Sequence, residues 1–277
     1  MISNTCSVDS ILSILATSAA DSSSYRKYLY NLKETNLTAS IALQMITEKK
    51  VKQIYYNRAL LLLQFFSSKV QTLVGGFKLI DTTNTAASMV NKIMDEMPSF
   101  VKTSVCNNNF CSVPMLEVKS TQLSLNVYDG QINLSRDLLA YIEISEENCS
   151  FCVNKRSVTV AATEHIMIEL NSIPSDLELS TSTGNIEIVP LHLIKQNFTQ
   201  PIKAKLDNLE KFLTVGDKTY KLRGVVSFFG GERRGLRNAM GHYTASAFRG
   251  NHKWETYDDM KKKVENARAS TTNDEEL

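Results

Sequence analysis

Apolar residues in the first hundred positions recur at helical spacing, and after Pro98 they begin to alternate with polar ones. From Val8 to Ala20 the apolar positions include Ile11, Leu12, Ile14 and Leu15, which predicts a helix. Asn4 or Thr5 stands before it as an N-cap, and Asp9 falls in the first turn. Tyr25 to Lys33, Ala39 to Glu48 and Lys52 to Lys69 continue the helical pattern, and a further helix over Asn84 to Met97 is stopped by Pro98. Glu117 to Lys119 and Gln122 to Val127 then alternate with a strand period. Later strands are expected over Ser157 to Ala161, His165 to Leu170, Asn185 to Val189 and Tyr220 to Phe228. Asp129-Gly130, Thr183-Gly184 and Gly216-Asp217 are turn signals between runs. Helices first and strands after predict an α+β fold. Residues 267–277 are small, polar and charged, and read as a disordered tail.

Composition narrows the class without deciding it. The chain of 277 residues is long enough to bury a substantial core. Its 43% hydrophobic and 22% charged residues are ordinary for a globular protein. A net charge of +2 gives no support for a nucleic-acid or membrane-surface partner. Lys261-Lys262-Lys263 and Arg233-Arg234 read as solvated surface. The most apolar run, Ala59 to Phe66, falls far short of the roughly 20 residues that span a bilayer. No basic segment followed by an apolar one opens the chain, so no signal peptide is expected and the protein is placed inside the cell, in cytoplasm or nucleus.

The cysteines change the picture. Cys106 and Cys111 form one close pair, Cys149 and Cys152 another, and Cys6 stands alone. Two such pairs can supply four thiolates to a tetrahedral zinc ion, and the Val118 to Ile144 stretch between them reads as strands, as in a zinc ribbon. The alternative is four reduced, unliganded thiols. Cys6 lies where a helix begins, a place that favours a reactive thiolate. By itself a lone cysteine is more often a small buried hydrophobe. Far along the chain, Gly241-His242-Tyr243-Thr244-Ala245 is followed by Trp254 and Tyr257-Asp258-Asp259. A histidine on one strand and an acid on the next can hydrogen-bond across the ladder, which fixes the imidazole tautomer and leaves its other nitrogen for a thiol.

Together these segments resemble the ubiquitin-specific proteases, a papain-like family of cysteine peptidases. Asn4-Thr5-Cys6 before an apolar helix is similar to the family's cysteine box. Gly241 to Ala245 with Trp254 and Tyr257-Asp258-Asp259 is similar to its histidine box, and Tyr220 to Val226 to the strand leading into that box. The resemblance touches both ends of the chain, and the order Cys, His, Asp is the family's own. It implies Cys6 as nucleophile, His242 as base and Asp258 as the orienting acid, with Asp259 as a possible supporting acid. It implies one catalytic domain over 1–266: a helical thumb over 1–98, zinc-bearing fingers over 99–156 holding zinc on Cys106, Cys111, Cys149 and Cys152, and a β-rich palm over 157–266. The Gly230 to Met240 loop, with Arg233, Arg234 and Arg237, would be a lid beside the thumb–palm cleft. The partners implied are ubiquitin or SUMO and their conjugates.

Three features depart from the family pattern. The first cysteine pair encloses four residues rather than two. The family carries an oxyanion-hole asparagine five positions before the nucleophile, and here that position is Met1. The box continues Ser7-Val8-Asp9 rather than aromatic, apolar, asparagine, and an acid at Asp9 is similar to the SUMO-directed branch. The function implied is therefore hydrolysis at the C-terminal glycine of ubiquitin, with SUMO cleavage or binding without cleavage as alternatives.

Overall fold

The computed structural model describes residues 1–47, 51–128, 132–173, 202, 204–229, 241–261 and 265–267. In chain order, β1 (Ile2–Ser3), α1 (Cys6–Asp21), α2 (Ser23–Leu32), α3 (Leu37–Thr47), α4 (Val51–Phe66), β2 (Val70–Thr72), β3 (Lys78–Asp81) and α5 (Ala86–Ile93) precede Pro98. Then come β4 (Phe100–Cys106), β5 (Met115–Ser120), β6 (Leu123–Tyr128), α6 (Leu134–Ile142), β7 (Glu146–Asn148), β8 (Lys155–Ala162), β9 (Ile168–Ile173), β10 (Phe212–Val215) and β11 (Lys218–Lys221). The last elements among the described residues are β12 (Gly224–Phe229), β13 (His242–Phe248), β14 (Trp254–Tyr257) and β15 (Glu265–Ala267). It divides into two compact units, Met1–Pro98 with Leu222–Thr271, and Ser99–Lys221 with Thr272–Leu277.

In the first unit α1 is the central element, packed by α2, α3, α5, β12 and β13. It is enclosed on most sides, so Val8, Ile11, Leu12 and Leu15 are buried together with Ser7, Ser10, Thr17 and Ser18. Small hydroxyls let neighbours approach, and two of them are satisfied within the helix: Thr17 Oγ1 donates to the Ser13 carbonyl at 2.8 Å and Ser18 Oγ to that of Ile14 at 2.6 Å. One face of α1 lies on the antiparallel sheet β12-β13-β14-β15, where Ile14 meets Ala245 and Ala247. Gly224 makes this close approach possible, because a Cβ there would stand 2.2 Å from Ile14 Cδ1 and 2.9 Å from the Ser246 carbonyl oxygen. A small second sheet, β1-β3-β2, holds the chain that leads into α1.

The second unit is built on the antiparallel sheet β5-β4-β8-β7. Phe100, Leu138, Val158, Val160 and Val215 form its core. The β10–β11 hairpin turns at Gly216-Asp217, where Gly216 takes φ +60° as a two-residue turn requires. α6 corrects the expectation that Val118 to Ile144 is all strand. Asn133 caps this helix by accepting from the Arg136 N–H, Leu138 is buried, and Tyr141 sets its ring edge-on to Phe100 at 5.3 Å. The spacing of Leu134, Leu138, Tyr141 and Ile142 carried that signal.

Other differences are local. Helices dominate before Pro98 as expected, but β1, β2 and β3 are there too, too short to show a period. Tyr220 to Phe228 is broken at Leu222-Arg223 into β11 and β12. The expected helix over Asn84 to Met97 shortens to α5. The expected strand Asn185 to Val189, the turns at Asp129-Gly130 and Thr183-Gly184, the Gly230 to Met240 loop, Lys262-Lys263 and residues 268–277 lie outside the described residues. No helix among the described residues is long and apolar enough to cross a membrane.

Candidate active site and metal centre

The turn before α1 is held from several sides. β1 runs parallel to β3, pairing Ser3 with Asp81. Thr82 Oγ1 donates to the carbonyls of Ser3 at 2.8 Å and Asn4 at 3.0 Å. Asn4 takes a left-handed φ of 60°, and its Nδ2 donates to Asp81 Oδ1 at 2.9 Å. Thr83, through its hydroxyl, then Asn4 and the Thr83 N–H hold the Asp81 carboxyl below its ordinary value. This turn delivers Cys6 as the first residue of α1, where backbone N–H groups lack helical partners and attract negative charge. Thr5 is the N-cap, but its hydroxyl makes no cap bond and donates instead to Asp9 Oδ2 at 2.6 Å. Arg58 Nη1 meets both oxygens of the same Asp9 carboxylate at 2.6 Å.

His242 opens β13, and its Nε2 lies 2.8 Å from Asp258 Oδ1 and 3.6 Å from Asp259 Oδ1. Nδ1 is therefore the ring nitrogen left for another partner. Asp258 lies in the turn just past β14 and not on the strand itself, so the His–Asp bond spans from a strand end to a turn and not across the ladder. Burial pushes the Asp258 carboxyl up, but the hydrogen bonds from His242 and the Met260 N–H, with the His242 and Lys261 charges, hold it below its ordinary value. Asp259 goes the other way, raised by burial and by the charge of Asp9. Asp258 is the carboxylate fitted to remain ionised against the imidazole. The donor atoms of His242, Asp258 and Asp259 lie within 4.8 Å of one another, and the His242–Asp258 hydrogen bond explains that cluster without a cation.

Two contacts set β13 alongside α1 in the first unit. At the far end, Arg249 just past β13 binds Asp21, the last residue of α1, at 2.9 and 3.0 Å. Midway, Ile14 packs on Ala245 and Ala247. From Asp21 back to Cys6 is about 22 Å of helix, and from Arg249 back to His242 about 24 Å of strand. The two elements run side by side, so their first residues share an end.

In the second unit, the four paired cysteines converge. Cys106 ends β4 and Cys111 follows in a tight loop, while Cys149 and Cys152 fill the turn between β7 and β8. The Cys106 and Cys152 sulfurs are 3.4 Å apart, those of Cys111 and Cys149 3.7 Å, and all four lie within 4.8 Å. None is in a disulfide. Four thiolates around zinc at about 2.3 Å stand about 3.8 Å from one another, so this set fits a tetrahedral ion. Burial pushes the Cys149 thiol up, but the Phe151 N–H, the Arg156 guanidinium and the neighbouring thiols outweigh it and hold it below the ordinary thiol range.

Sequence reasoning missed Asp81, Arg58, Arg249 and Arg156, which position these groups. Arg249 and Asp21 are 228 positions apart and Arg58 and Asp9 are 49, with no periodic signal to join them.

No family model matches the chain. It is 24% identical over 270 residues to the 120.7 kDa protein in the NOF-FB transposable element of Drosophila melanogaster, covering 93% of this chain and 22% of that protein. The chain thus spans about a fifth of the length of this curated relative. Among solved structures it is similar to the Ubp8 module of the SAGA deubiquitinating assembly, with a TM-score of 0.51, 12% identity, and coverage of 97% of this chain and 64% of that one. It also aligns with the PAN2 pseudoubiquitin-hydrolase of Saccharomyces cerevisiae, with a TM-score of 0.37, 13% identity, and coverage of 95% of this chain and 78% of that one. The fold is α+β and resembles, across nearly the whole chain, that of a ubiquitin-specific protease domain with a four-cysteine cluster suited to zinc.

Proposed function

We propose that this chain is a thiol-dependent deubiquitinase that hydrolyses the isopeptide or peptide bond at the C-terminal glycine of ubiquitin. The observation that carries this reading is the His242–Asp258 hydrogen bond at 2.8 Å on β13, the strand packed against the helix that Cys6 begins. Asp258 accepts from Nε2 and so fixes the tautomer that leaves Nδ1 as a base. Nδ1 takes the Cys6 proton, and the thiolate attacks the glycine carbonyl. His242 then protonates the departing lysine amine, and water releases the acyl-enzyme with His242 again as base. Backbone N–H groups at the start of α1 are suited to the oxyanion. Residues 1–98 would be the thumb, 99–156 the fingers and 157–266 the palm, with zinc on Cys106, Cys111, Cys149 and Cys152 as a structural ion. Unbridged cysteines suit a reducing compartment, cytoplasm or nucleus.

Two observations favour other readings of the same site. Asp9 favours SUMO as the modifier. Met1, standing where the resembled family has asparagine, favours a module that grips the modifier without cutting it, because a thioether cannot donate a hydrogen bond to an oxyanion. Hydrolysis of fluorogenic ubiquitin and SUMO substrates by the wild type and its variants tests all three. Cys6→Ala abolishes turnover, and His242→Ala lowers it by about 10²- to 10⁴-fold. Asp258→Ala is expected to cripple turnover while Asp259→Ala spares most of it. Full activity in Cys6→Ala would sink the nucleophile assignment, and the opposite ranking of the two acids would move the orienting role to Asp259.

A further inference from the structure

Beneath the cysteine cluster lies a cation that the chemistry above does not use. Arg156, near the start of β8, is only 2% exposed. Every described bond of its guanidinium goes to the walls of the cysteine cluster. Nη1 donates to Cys149 Sγ at 3.3 Å and to the Val113 carbonyl at 2.9 Å. Nε donates to Ser104 Oγ at 3.0 Å, and Nη2 to the Ser104 carbonyl at 2.9 Å. β4 and β8 place Cys106 directly opposite Arg156, and β7 places Glu147 on its other side. One planar group therefore ties together the strand that ends in Cys106, the segment that follows Cys111, and Cys149 itself.

The charges explain why a cation is buried there. Zinc held by four thiolates carries a net charge of two minus, and a buried dianion is costly unless it is compensated. We infer that Arg156 is an integral outer part of the metal centre. It cancels half of that charge, positions Cys149 through the bond to its sulfur, and so sets how tightly the site retains its ion. A lysine would keep the charge but cannot reproduce the fork that reaches Cys149, Val113 and Ser104 at once. This rests on the reading of the cluster as a zinc site.

The test is zinc release from the full chain. Metal content is measured first, and then the rate at which zinc passes to a chromogenic chelator is compared for wild type, Arg156→Met, Arg156→Lys and Ser104→Ala. Arg156→Met is expected to release zinc about 10- to 100-fold faster, with Arg156→Lys between it and the wild type. In cobalt-substituted protein, Arg156→Met shifts the thiolate-to-metal charge-transfer band to longer wavelength, because Cys149 loses a donor; a merely structural role would leave that band in place. Release rates within twofold of wild type, with an unmoved band, overturn the proposal. If Arg156→Met does not fold, Ser104→Ala decides: release several-fold faster supports it, and an unchanged rate overturns it. Wild-type protein that contains no zinc overturns the zinc reading itself, a failure separate from a zinc-loaded protein indifferent to Arg156.

Discussion

At the residue scale, the site depends on groups that bond to its backbone as much as on the groups that react. Asp81 is the clearest case. It accepts from Asn4 Nδ2 and from Thr83, and so pins the left-handed residue from which Cys6 is aimed. Asp81→Ala is therefore expected to lower kcat for ubiquitin-substrate hydrolysis by about 10- to 100-fold through misplacement of the nucleophile. The loss is expected in kcat and not in KM, because the bonds of Asp81 go to the turn that leads into Cys6. Steady-state kinetics beside a circular-dichroism check of fold decide this; unchanged kcat would mean that the turn holds itself. The His242–Asp258 pairing and the convergence of the four paired cysteines were legible because chemistry constrains their type and spacing. Asp81, Arg58 and Arg156 were not, because any chain position that folds against these groups can serve, and bonds such as Arg58 to Asp9 across 49 residues leave no period to read.

At the element scale, α1 and β13 decide whether the two ends of the chain meet. Gly224 permits the packing midway along them, and Gly224→Ala drives a methyl into Ile14 and the Ser246 carbonyl. It is expected to cost about 1–3 kcal/mol in chemical denaturation; no change in the midpoint would show that α1 can move off the sheet freely. Arg249 latches the far end. The guanidinium beside Asp21, helped by the Gly250 N–H and opposed by burial, holds that carboxyl below its ordinary value of 3.8. A depressed folded value means that the stabilisation is complete above the ordinary value and is lost as pH falls through the lowered one. Asp21→Asn should therefore lower the thermal midpoint at neutral pH, and the gap to wild type should narrow below about pH 4. A gap that stays constant with pH would remove the charge from the explanation. Longer helices such as α1 and α3 were readable from the spacing of their apolar residues. α6 was overlooked because it is short and lies between strands, and β1 to β3 because two to four residues show no alternation.

At the scale of the whole molecule, Cys6, His242 and Asp258 belong to one compact unit and the four clustered cysteines to the other. Metal removal is thus expected to act on stability. A strong chelator should lower the thermal midpoint of the second unit by several degrees or more, because a structural zinc site contributes folding free energy directly. Calorimetry with and without chelator checks this, and identical traces would contradict a structural ion. The α+β class was legible from the change in period at Pro98, but the division into two units was not, because Leu222–Thr271 returns to the unit begun by Met1–Pro98 through long-range packing.

The most direct measurement is reaction of the purified chain with ubiquitin and with SUMO, each ending in an electrophilic vinyl-type warhead, with Cys6→Ala as control. A covalent adduct with the ubiquitin probe, mapped to Cys6 and absent from the variant, is the predicted result. An adduct with the SUMO probe alone would keep the thiol chemistry and change the substrate. No adduct with either probe, from folded and zinc-loaded protein, would contradict catalysis and leave a module that binds without cutting.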